Sequence, residues 1–377
     1  MVVKEINAKT ILRKHKRIDS WFISQYGMNF YRGCAHNCVY CDGRSESYYV
    51  EGEFGKDIWV KVNAIDILSK ELDPRRKRVP FRPCFMMLGG GVGDSYQPIE
   101  KKYKISRRAL NILYNFNFPV SILTKSTLIR RDIDIIKKIN KKSKAIVSFS
   151  FSSTNEEISS IFEPGVPSPK DRLETLKHFK EEGIFCGMFL LPIIPFITDK
   201  YEIMDETIKK AKEIDLDFII FGGMTLKEGL QKSYFLEKIK ESYPHIIPDL
   251  SNIYKRNIWG SPTDEYQKSI HFTFNKLIEK YKIPPRIPSH LFNNILNEND
   301  LVIVILEHLD YLLNLKGRES SYRWAANSIS KLSKPISEVK DDLRRIKGVG
   351  PTTEKIIIEI LETGTSRYYE KLLYGNI

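Results

Sequence analysis

Between residues 63 and 242 the chain alternates two hydrophobic patterns. Short unbroken apolar runs at Phe85–Leu88, Val120–Thr124, Ala145–Phe151, Phe185–Leu191 and Phe218–Phe221 have the length and continuity of strands covered on both faces. Around and between them apolar residues recur every three or four positions. This predicts helices over Asn63–Leu72 (Ile65, Leu68 and Leu72 on one face), Ile105–Phe116, Arg131–Ile139, Pro169–Glu182, Lys200–Ile214 and Leu230–Ser242. Ser168 before Pro169 reads as an N-cap with proline in the first turn, and Gly183 as the stop. Such alternation implies an α/β fold with a parallel sheet under helices. A further strand just before Cys34 brings the count to six, too few for a closed eight-stranded barrel.

Two regions depart from this rhythm. Residues 1–30 are mixed, with an aromatic pair at Trp21-Phe22, and Tyr48–Trp59 reads as extended. Past Pro288 the pattern is helical throughout: Asp300–Leu315, Tyr322–Leu332, Val339–Ile346, then Thr352–Leu361 closed by Thr363-Gly364. The division predicted is a core domain over residues 1–290 and a small all-α domain over 300–377.

The chain of 377 residues is 42% apolar, enough for a substantial core. No stretch of 18 apolar residues is present, so no membrane span is expected, and the N-terminus lacks a signal-peptide hydrophobic region. Net charge is +13, which points to a polyanionic partner or to a lysine-rich solvated surface. Residues 300–377 carry 12 Lys/Arg against 11 Asp/Glu, so the excess lies in the first 299, with clusters at Arg13–Arg17, Arg75–Arg78 and Lys101–Lys104. Five cysteines, three of them clustered, suit a metal site in a reducing cytoplasm better than a disulfide framework. Cys84 and Cys186 read as core residues.

The clustered cysteines, Cys34, Cys38 and Cys41, have the spacing C-x3-C-x2-C with no fourth nearby. Three thiolates on a [4Fe-4S] cluster leave one iron open to a small molecule. A Cys3His zinc knuckle using His36 and simple core packing are the alternatives. Polar and glycine-rich clusters follow successive strands: Gly89-Gly90-Gly91-Val92-Gly93-Asp94, Thr124-Lys125-Ser126, Ser148 with Ser150 and Ser152, and Pro192 with Pro195. In parallel β/α folds chemistry sits at those carboxyl ends. Singly, each cluster reads as a turn or a helix cap.

The cysteine motif resembles that of radical S-adenosylmethionine enzymes, whose usual core is a partial (β/α)6 TIM-like barrel. From Asn29 to Asp199 the chain is similar to their spore photoproduct lyase-like branch. Tyr31–Arg44, Gly93–Pro98, Thr124–Ser126, Arg131–Asp134, Phe162–Gly165 and Arg172-Leu173 with Pro192 carry this resemblance. It implies Cys34, Cys38 and Cys41 as ligands of a [4Fe-4S] cluster whose open iron chelates S-adenosylmethionine. Gly89, Gly90, Gly91, Asp94, Lys125, Ser148 and Ser150 are then expected around the cofactor, Lys125 and a serine facing its carboxylate. An electron donor such as flavodoxin or ferredoxin is implied as a partner. The lyase returns a hydrogen atom from a cysteine at the end of its second strand. Gly91–Asp94 stands there and holds no cysteine, while Cys84 lies at the strand's other end. Tyr96 is the nearest substitute donor.

Gly348-Val349-Gly350 between two helices reads as a helix-hairpin-helix turn, whose glycines and following helix start suit a phosphate. Arg344, Arg345, Lys347 and Lys355 add charge. Residues 300–373 resemble the amino-terminal domain of family X DNA polymerases at Leu315-Lys316-Gly317, Tyr322–Ala326, Ile346–Gly350, Leu361–Gly364 and Leu372. Some members use a Schiff-base lysine as deoxyribose-phosphate lyases; that position is Ile356 here, which implies DNA binding without sequence specificity and without that activity. The expectation is a radical enzyme acting on nucleic acid, in lesion repair or base modification. The alternatives are a protein or small-molecule substrate recruited to DNA, and a non-enzymatic iron–sulfur sensor.

Overall fold

The computed structural model describes residues 2–48, 52–255 and 259–375. Its main sheet contains β2 (Leu12–Asp19), β3 (Ser24–Met28), β6 (Phe85–Leu88), β7 (Val120–Thr124), β8 (Ala145–Phe151), β9 (Phe185–Ile193) and β10 (Phe218–Gly223), ordered β10-β9-β8-β7-β6-β3-β2. From β3 to β10 every neighbouring pair is parallel. β2 runs antiparallel to β3 at one edge. β10 and β2 end the order without meeting, so the sheet is a curled, open half-barrel with the six parallel strands that the pattern predicts. A second sheet, β1-β5-β4, joins β1 (Val2–Ile6), β4 (Tyr31–Arg32) and β5 (Asp57–Lys61) beside the cysteine loop. Residues 49–51 of the expected extended segment lie outside the described residues.

The central strands are apolar because neither face meets water: all seven residues of β8 and all four of β6 are buried. Helices Ala64–Leu72, Ile105–Asn115, Ile133–Lys142, Pro169–Glu181 and Tyr201–Glu213 cover the outside, each with one buried face, mostly apolar, although Pro169–Glu181 also buries Arg172 and Thr175. Ser168 caps its helix as expected, accepting from Asp171 N. Helices Glu156–Phe162, Ile247–Ile253, Asp264–Tyr281 and Arg367–Leu373 were not anticipated. The helix expected over Val339–Ile346 is instead a pair of 3-10 turns within Ile336–Arg345, broken at Val339 and Asp342.

The carboxyl-terminal helices Glu298–Leu315, Tyr322–Ile329, Pro351–Thr363 and Arg367–Leu373 share one apolar cluster with the half-barrel. Glu298–Leu315 is buried on most of its surface because it packs against both. Arg286 is enclosed there, its guanidinium 3.2 Å from the Tyr311 ring centroid and 5.2 Å from that of Trp21. His308 Nε2 lies 2.8 Å from Ser20 O, and Tyr369 Oη donates to Ile287 O at 3.3 Å. Arg82 pairs with Asp300 at 3.4 Å, and Lys144 Nζ donates to His290 O at 3.3 Å. Ser20, Arg82 and Lys144 all precede parallel strands. The helical region is therefore attached at the amino ends of the strands.

Candidate active site

The cysteine loop lies beyond the opposite, carboxyl end of β3. Three successive turns coil it: Asn37 N donates to Cys34 O (3.2 Å), Cys41 N to Cys38 O (3.3 Å) and Arg44 N to Cys41 O (3.1 Å). Cys34 and Cys38 are buried and Cys41 is half-buried. The loop is held from three sides. Gln97 accepts from Ala35 N at 2.9 Å and donates to Gly33 O at 3.2 Å. Arg44 reaches back to Cys38 O (3.2 Å) and Asn37 Oδ1 (2.6 Å), and its guanidinium lies over the Tyr234 ring at 3.6 Å. Across the mouth, Val39 N donates to Phe162 O at 2.8 Å and Gly165 N to His36 O at 3.0 Å. Gly165 has to be glycine: a Cβ there would stand 2.5 Å from Ala35 O.

His36 uses both ring nitrogens within the protein. Nδ1 lies 2.9 Å from Gly165 O and Nε2 lies 3.2 Å from Asp94 Oδ2. That removes it from the ligand set and with it the zinc knuckle. Among the described residues no three His, Cys, Asp or Glu side chains converge on a single ion. A cubane cluster does not ask for that convergence, since it takes each cysteine at a different corner.

Asp94 is a hub. Beyond His36 it accepts from Thr124 Oγ1 (2.7 Å), Lys125 N (2.7 Å) and Tyr96 N (2.7 Å). Burial alone would raise its carboxyl, but these hydrogen bonds outweigh it and hold the carboxyl below the usual range. The carboxylate thus fixes the loop to the end of β7 and is occupied in doing so. Gly89, Gly90 and Gly91 follow β6. A Cβ at Gly89 would meet Leu123 O at 2.1 Å and one at Gly90 would meet Met87 at 2.6 Å, whereas one at Gly91 would meet nothing within 4 Å, so only Gly91 presents bare backbone to open space.

Inside the half-barrel, Lys125 Nζ donates to Ser150 Oγ at 3.0 Å and to Glu163 Oε1 at 2.8 Å. Arg172 donates to Glu163 Oε2 at 2.6 Å and to Ser150 O at 2.8 Å, and Tyr40 Oη also donates to Glu163. Burial pushes the Glu163 carboxyl up, but Arg172 and Lys125 together drive it well below the usual range. Ser148 shares the Ser150 face by strand alternation. Thus Lys125, Ser150 and Ser148 come together beside Cys38, whose thiol burial pushes up to about 12 although the Lys125 charge opposes the rise. No role was anticipated for Glu163, Arg172, Gln97 or Arg44; a buried ion pair between distant positions has no periodic signature.

Tyr96 does not suit the expected donor role. It is fully buried, and the charged groups around its hydroxyl are Asp132, Glu100 and Arg131. A phenol enclosed this way offers no surface to a substrate. Cys84 sits before β6, at the end remote from the loop, where burial pushes its thiol up to about 12.

In the helical region Gly348 takes φ +90°, and a Cβ on it would lie 2.8 Å from Ala325 N, while Gly350 opens onto empty space. Lys347 and Lys355 are exposed. Arg344 is paired with Glu354 at 2.7 Å and Arg345 with Asp342 at 3.1 Å, so the arginines add less net charge than expected. Ile356 is buried, an apolar residue where a Schiff base would need lysine.

The sequence pattern of the Radical SAM superfamily matches residues 28–208, and that of a helix-hairpin-helix domain matches residues 297–366. An uncharacterised protein of Methanocaldococcus jannaschii is 32% identical over 232 residues, 61% of this chain and 80% of that protein. The chain belongs to the radical SAM superfamily. An uncharacterised protein of Mycobacterium tuberculosis is 27% identical over 263 residues, 69% of this chain and 75% of its own length. Among solved structures, spore photoproduct lyase complexed with dinucleoside spore photoproduct has the same fold. The TM-score is 0.55 at 19% identity, over 74% of this chain and 79% of that one.

Radical SAM enzymes use a [4Fe-4S] cluster and S-adenosylmethionine, and the donor set here fits both. Three cysteines and no fourth match a cluster with one open iron. Burial raises all three thiols, so each needs the positive charge of bound iron to become a thiolate. Among the described residues no helix of this radical SAM enzyme is long and apolar enough to cross a membrane.

Proposed function

We propose that this radical SAM enzyme acts on DNA, cleaving a lesion or modifying a base in lyase-like chemistry, within the cytoplasm and with electrons from a flavodoxin- or ferredoxin-type donor. The observation that carries the reading is a helix-hairpin-helix domain fused to the half-barrel through a shared apolar core. A nonspecific phosphate grip held rigidly to the active domain serves a substrate that is a long polyanion. The excess positive charge in the first 299 residues supports the same reading.

The chemistry supplied there is reductive cleavage of S-adenosylmethionine and hydrogen-atom abstraction. Cys34, Cys38 and Cys41 hold the cluster. His36, Asp94, Gln97 and Arg44 hold those cysteines in place. Lys125 is the cation for the methionyl carboxylate, and the glycine run lets backbone approach it. Ser148, Ser150 and the Lys125–Glu163–Arg172 group keep the interior polar and fixed. Spore photoproduct lyase, a neighbour in fold, is described with a dinucleoside photoproduct bound. The cysteine expected of such a lyase at the end of the second strand is missing, which favours a different lesion or a different hydrogen donor.

The helical region is attached at the amino ends of the strands and the cysteine loop stands at the carboxyl ends. Strands of five to seven residues make that separation on the order of 20 Å. DNA touching both would span at least about six base pairs at roughly 3.4 Å each. The same separation favours, as a second reading, a domain that only recruits the enzyme to DNA while the substrate is a protein or small molecule.

The deciding experiment measures 5'-deoxyadenosine from reconstituted, reduced protein given S-adenosylmethionine under anaerobic conditions. It compares no DNA, a dinucleotide, and intact or ultraviolet-irradiated duplex, with Cys38→Ala as control. Product that rises with duplex but not with dinucleotide supports the proposal. Product indifferent to every nucleic acid overturns it in favour of recruitment.

A further inference from the structure

We propose that Trp324 is a stacking platform for an unpaired nucleobase, set beside the hairpin turn. This rests on the reading of DNA as the bound polymer, and it adds which form of DNA the helical domain prefers.

Trp324 is 66% exposed, in the first turn of helix Tyr322–Ile329. The rest of that helix is anchored: Tyr322, Ala325, Ala326 and Ile329 are buried. The indole is therefore held by a fixed backbone while its own surface stays in water. Its place is set by the turn. The Gly348 Cα packs so closely on the helix start that a Cβ would lie 2.8 Å from Ala325 N and 3.1 Å from Trp324 C. The backbone that carries the exposed indole thus lies directly against the Gly348-Val349-Gly350 turn, where Gly350 has nothing within 4 Å of a Cβ position. Arg323 and Lys347, both exposed, flank it in sequence and at the turn.

The small net charge of the helical region leaves an apolar contact to add affinity that charge alone does not supply. Residues 300–377 hold 12 Lys/Arg against 11 Asp/Glu. Several of the cations are already spent: Arg344 on Glu354, Arg345 on Asp342, Lys340 on Glu362 at 3.2 Å. A nearly neutral surface gains little from counterion release. What remains for binding is the backbone of the turn, the exposed cations Arg323, Lys347 and Lys355 beside it, and a flat π-face. Base–aromatic stacking is sequence-tolerant, in keeping with a domain that reads no bases. It needs a base with a free face, which an intact duplex does not offer away from its ends. The ligand class is therefore a single-stranded stretch, a gap or a frayed end.

The test uses the full chain and measures fluorescence anisotropy of a labelled oligothymidylate and of a closed-hairpin duplex, with wild type, Trp324→Ala and Trp324→Phe. Trp324→Ala is expected to weaken oligothymidylate binding by roughly tenfold or more. Trp324→Phe should keep most of the affinity, and duplex affinity should change by less than about twofold. The slope of affinity against salt should be the same in all three proteins, because no phosphate contact is lost. Equal loss on both ligands, or none on either, overturns the proposal. If wild type binds neither ligand, the DNA reading itself fails, and this outcome is distinct from the others. Unchanged near-ultraviolet circular dichroism outside the indole band checks that the exposed substitution leaves the fold intact.

Discussion

His36 Nε2 lies 3.2 Å from Asp94 Oδ2, and through that contact the cysteine loop is fastened to the end of β7. Cys38, Val39 and Tyr40 pack the loop into an apolar cluster on one side, and Asp94 ties it down on the other. Asp94 binds four donors at once, from His36, Thr124, Lys125 and Tyr96, and all of them want a charged acceptor. In Asp94→Asn one oxygen becomes an N–H donor facing other donors. We expect a loss of about 3 kcal/mol of stability, as for hydrogen bonds to a buried charge, and iron content well below one cluster per chain. Thermal unfolding and iron analysis measure the two. Full iron loading with an unchanged melting point would mean that the loop does not depend on this anchor.

The five cysteines should separate cleanly by position. Cys34→Ala, Cys38→Ala and Cys41→Ala are each expected to abolish the iron–sulfur absorbance of the reconstituted protein. Cys84→Ala and Cys186→Ala should retain it in full, because both side chains are buried near the amino ends of their strands. Loss of iron on removing Cys84 or Cys186 would refute the ligand assignment.

Lys125→Met leaves Glu163 with Arg172 and Tyr40. The fold should survive, at a cost of about 1–3 kcal/mol for one lost partner of a buried charge. Binding of S-adenosylmethionine to the reconstituted protein, measured by equilibrium dialysis, should fall by roughly tenfold or more, since a charge-assisted contact to the carboxylate is removed. Unaltered binding would leave Lys125 as a structural partner of Glu163 and nothing else.

What the sequence makes legible follows from where water is. β6, β7 and β8 were readable to the residue because strands covered on both faces are predominantly apolar, even with Ser121, Thr124, Ser148 and Ser150 among them. β2 was not, since LRKHKRID at the sheet edge turns its charges to solvent and carries no apolar alternation. Helix Asp264–Tyr281 could have been found: Ile270, Phe274, Leu277 and Ile278 keep helical spacing and are buried. The cysteines announce themselves by spacing alone. Glu163 and Arg172 lie in stretches that carry the family resemblance, but their pairing is made by the fold and has no periodic signature. Nearness in sequence to a strand end likewise does not say which way a ring such as that of Tyr96 points, and the structure buries it fully.

Acid should loosen the attachment of the helical domain. Burial, reinforced by Arg286, pushes His308 down to about 3, against about 6.5 in an unfolded chain. The folded state keeps the imidazole neutral while the unfolded chain takes up a proton, so stability is present above about pH 6.5 and is lost as pH falls below it. The slope reaches about 1.4 kcal/mol per pH unit, or roughly 2 kcal/mol by pH 5. His308→Gln, which can still donate to Ser20 O, should flatten this part of the dependence in calorimetry between about pH 7 and 5. Parallel curves for the two proteins would show that His308 does not carry it.

The two glycines of the hairpin should fail in different ways. Gly348 has φ +90° and a Cβ there would overlap Ala325 N at 2.8 Å, so Gly348→Ala meets both backbone strain and a clash with a helix that cannot retreat. The left-handed conformation costs a residue with a side chain about 1–2 kcal/mol, and overpacking adds about 1–3 kcal/mol. A drop in stability of roughly 2–5 kcal/mol is expected, with DNA binding lost alongside it. Gly350 has φ −98° and open space where a Cβ would go, so Gly350→Ala should fold as the wild type does. If the turn lies against a phosphate, the added methyl group occupies the space the phosphate needs, and affinity for DNA should fall several-fold at unchanged melting temperature. A Gly350→Ala protein that binds DNA as tightly as wild type would take the turn out of the interface, and the exposed residues around Trp324 and Lys355 would then have to carry the contact without it.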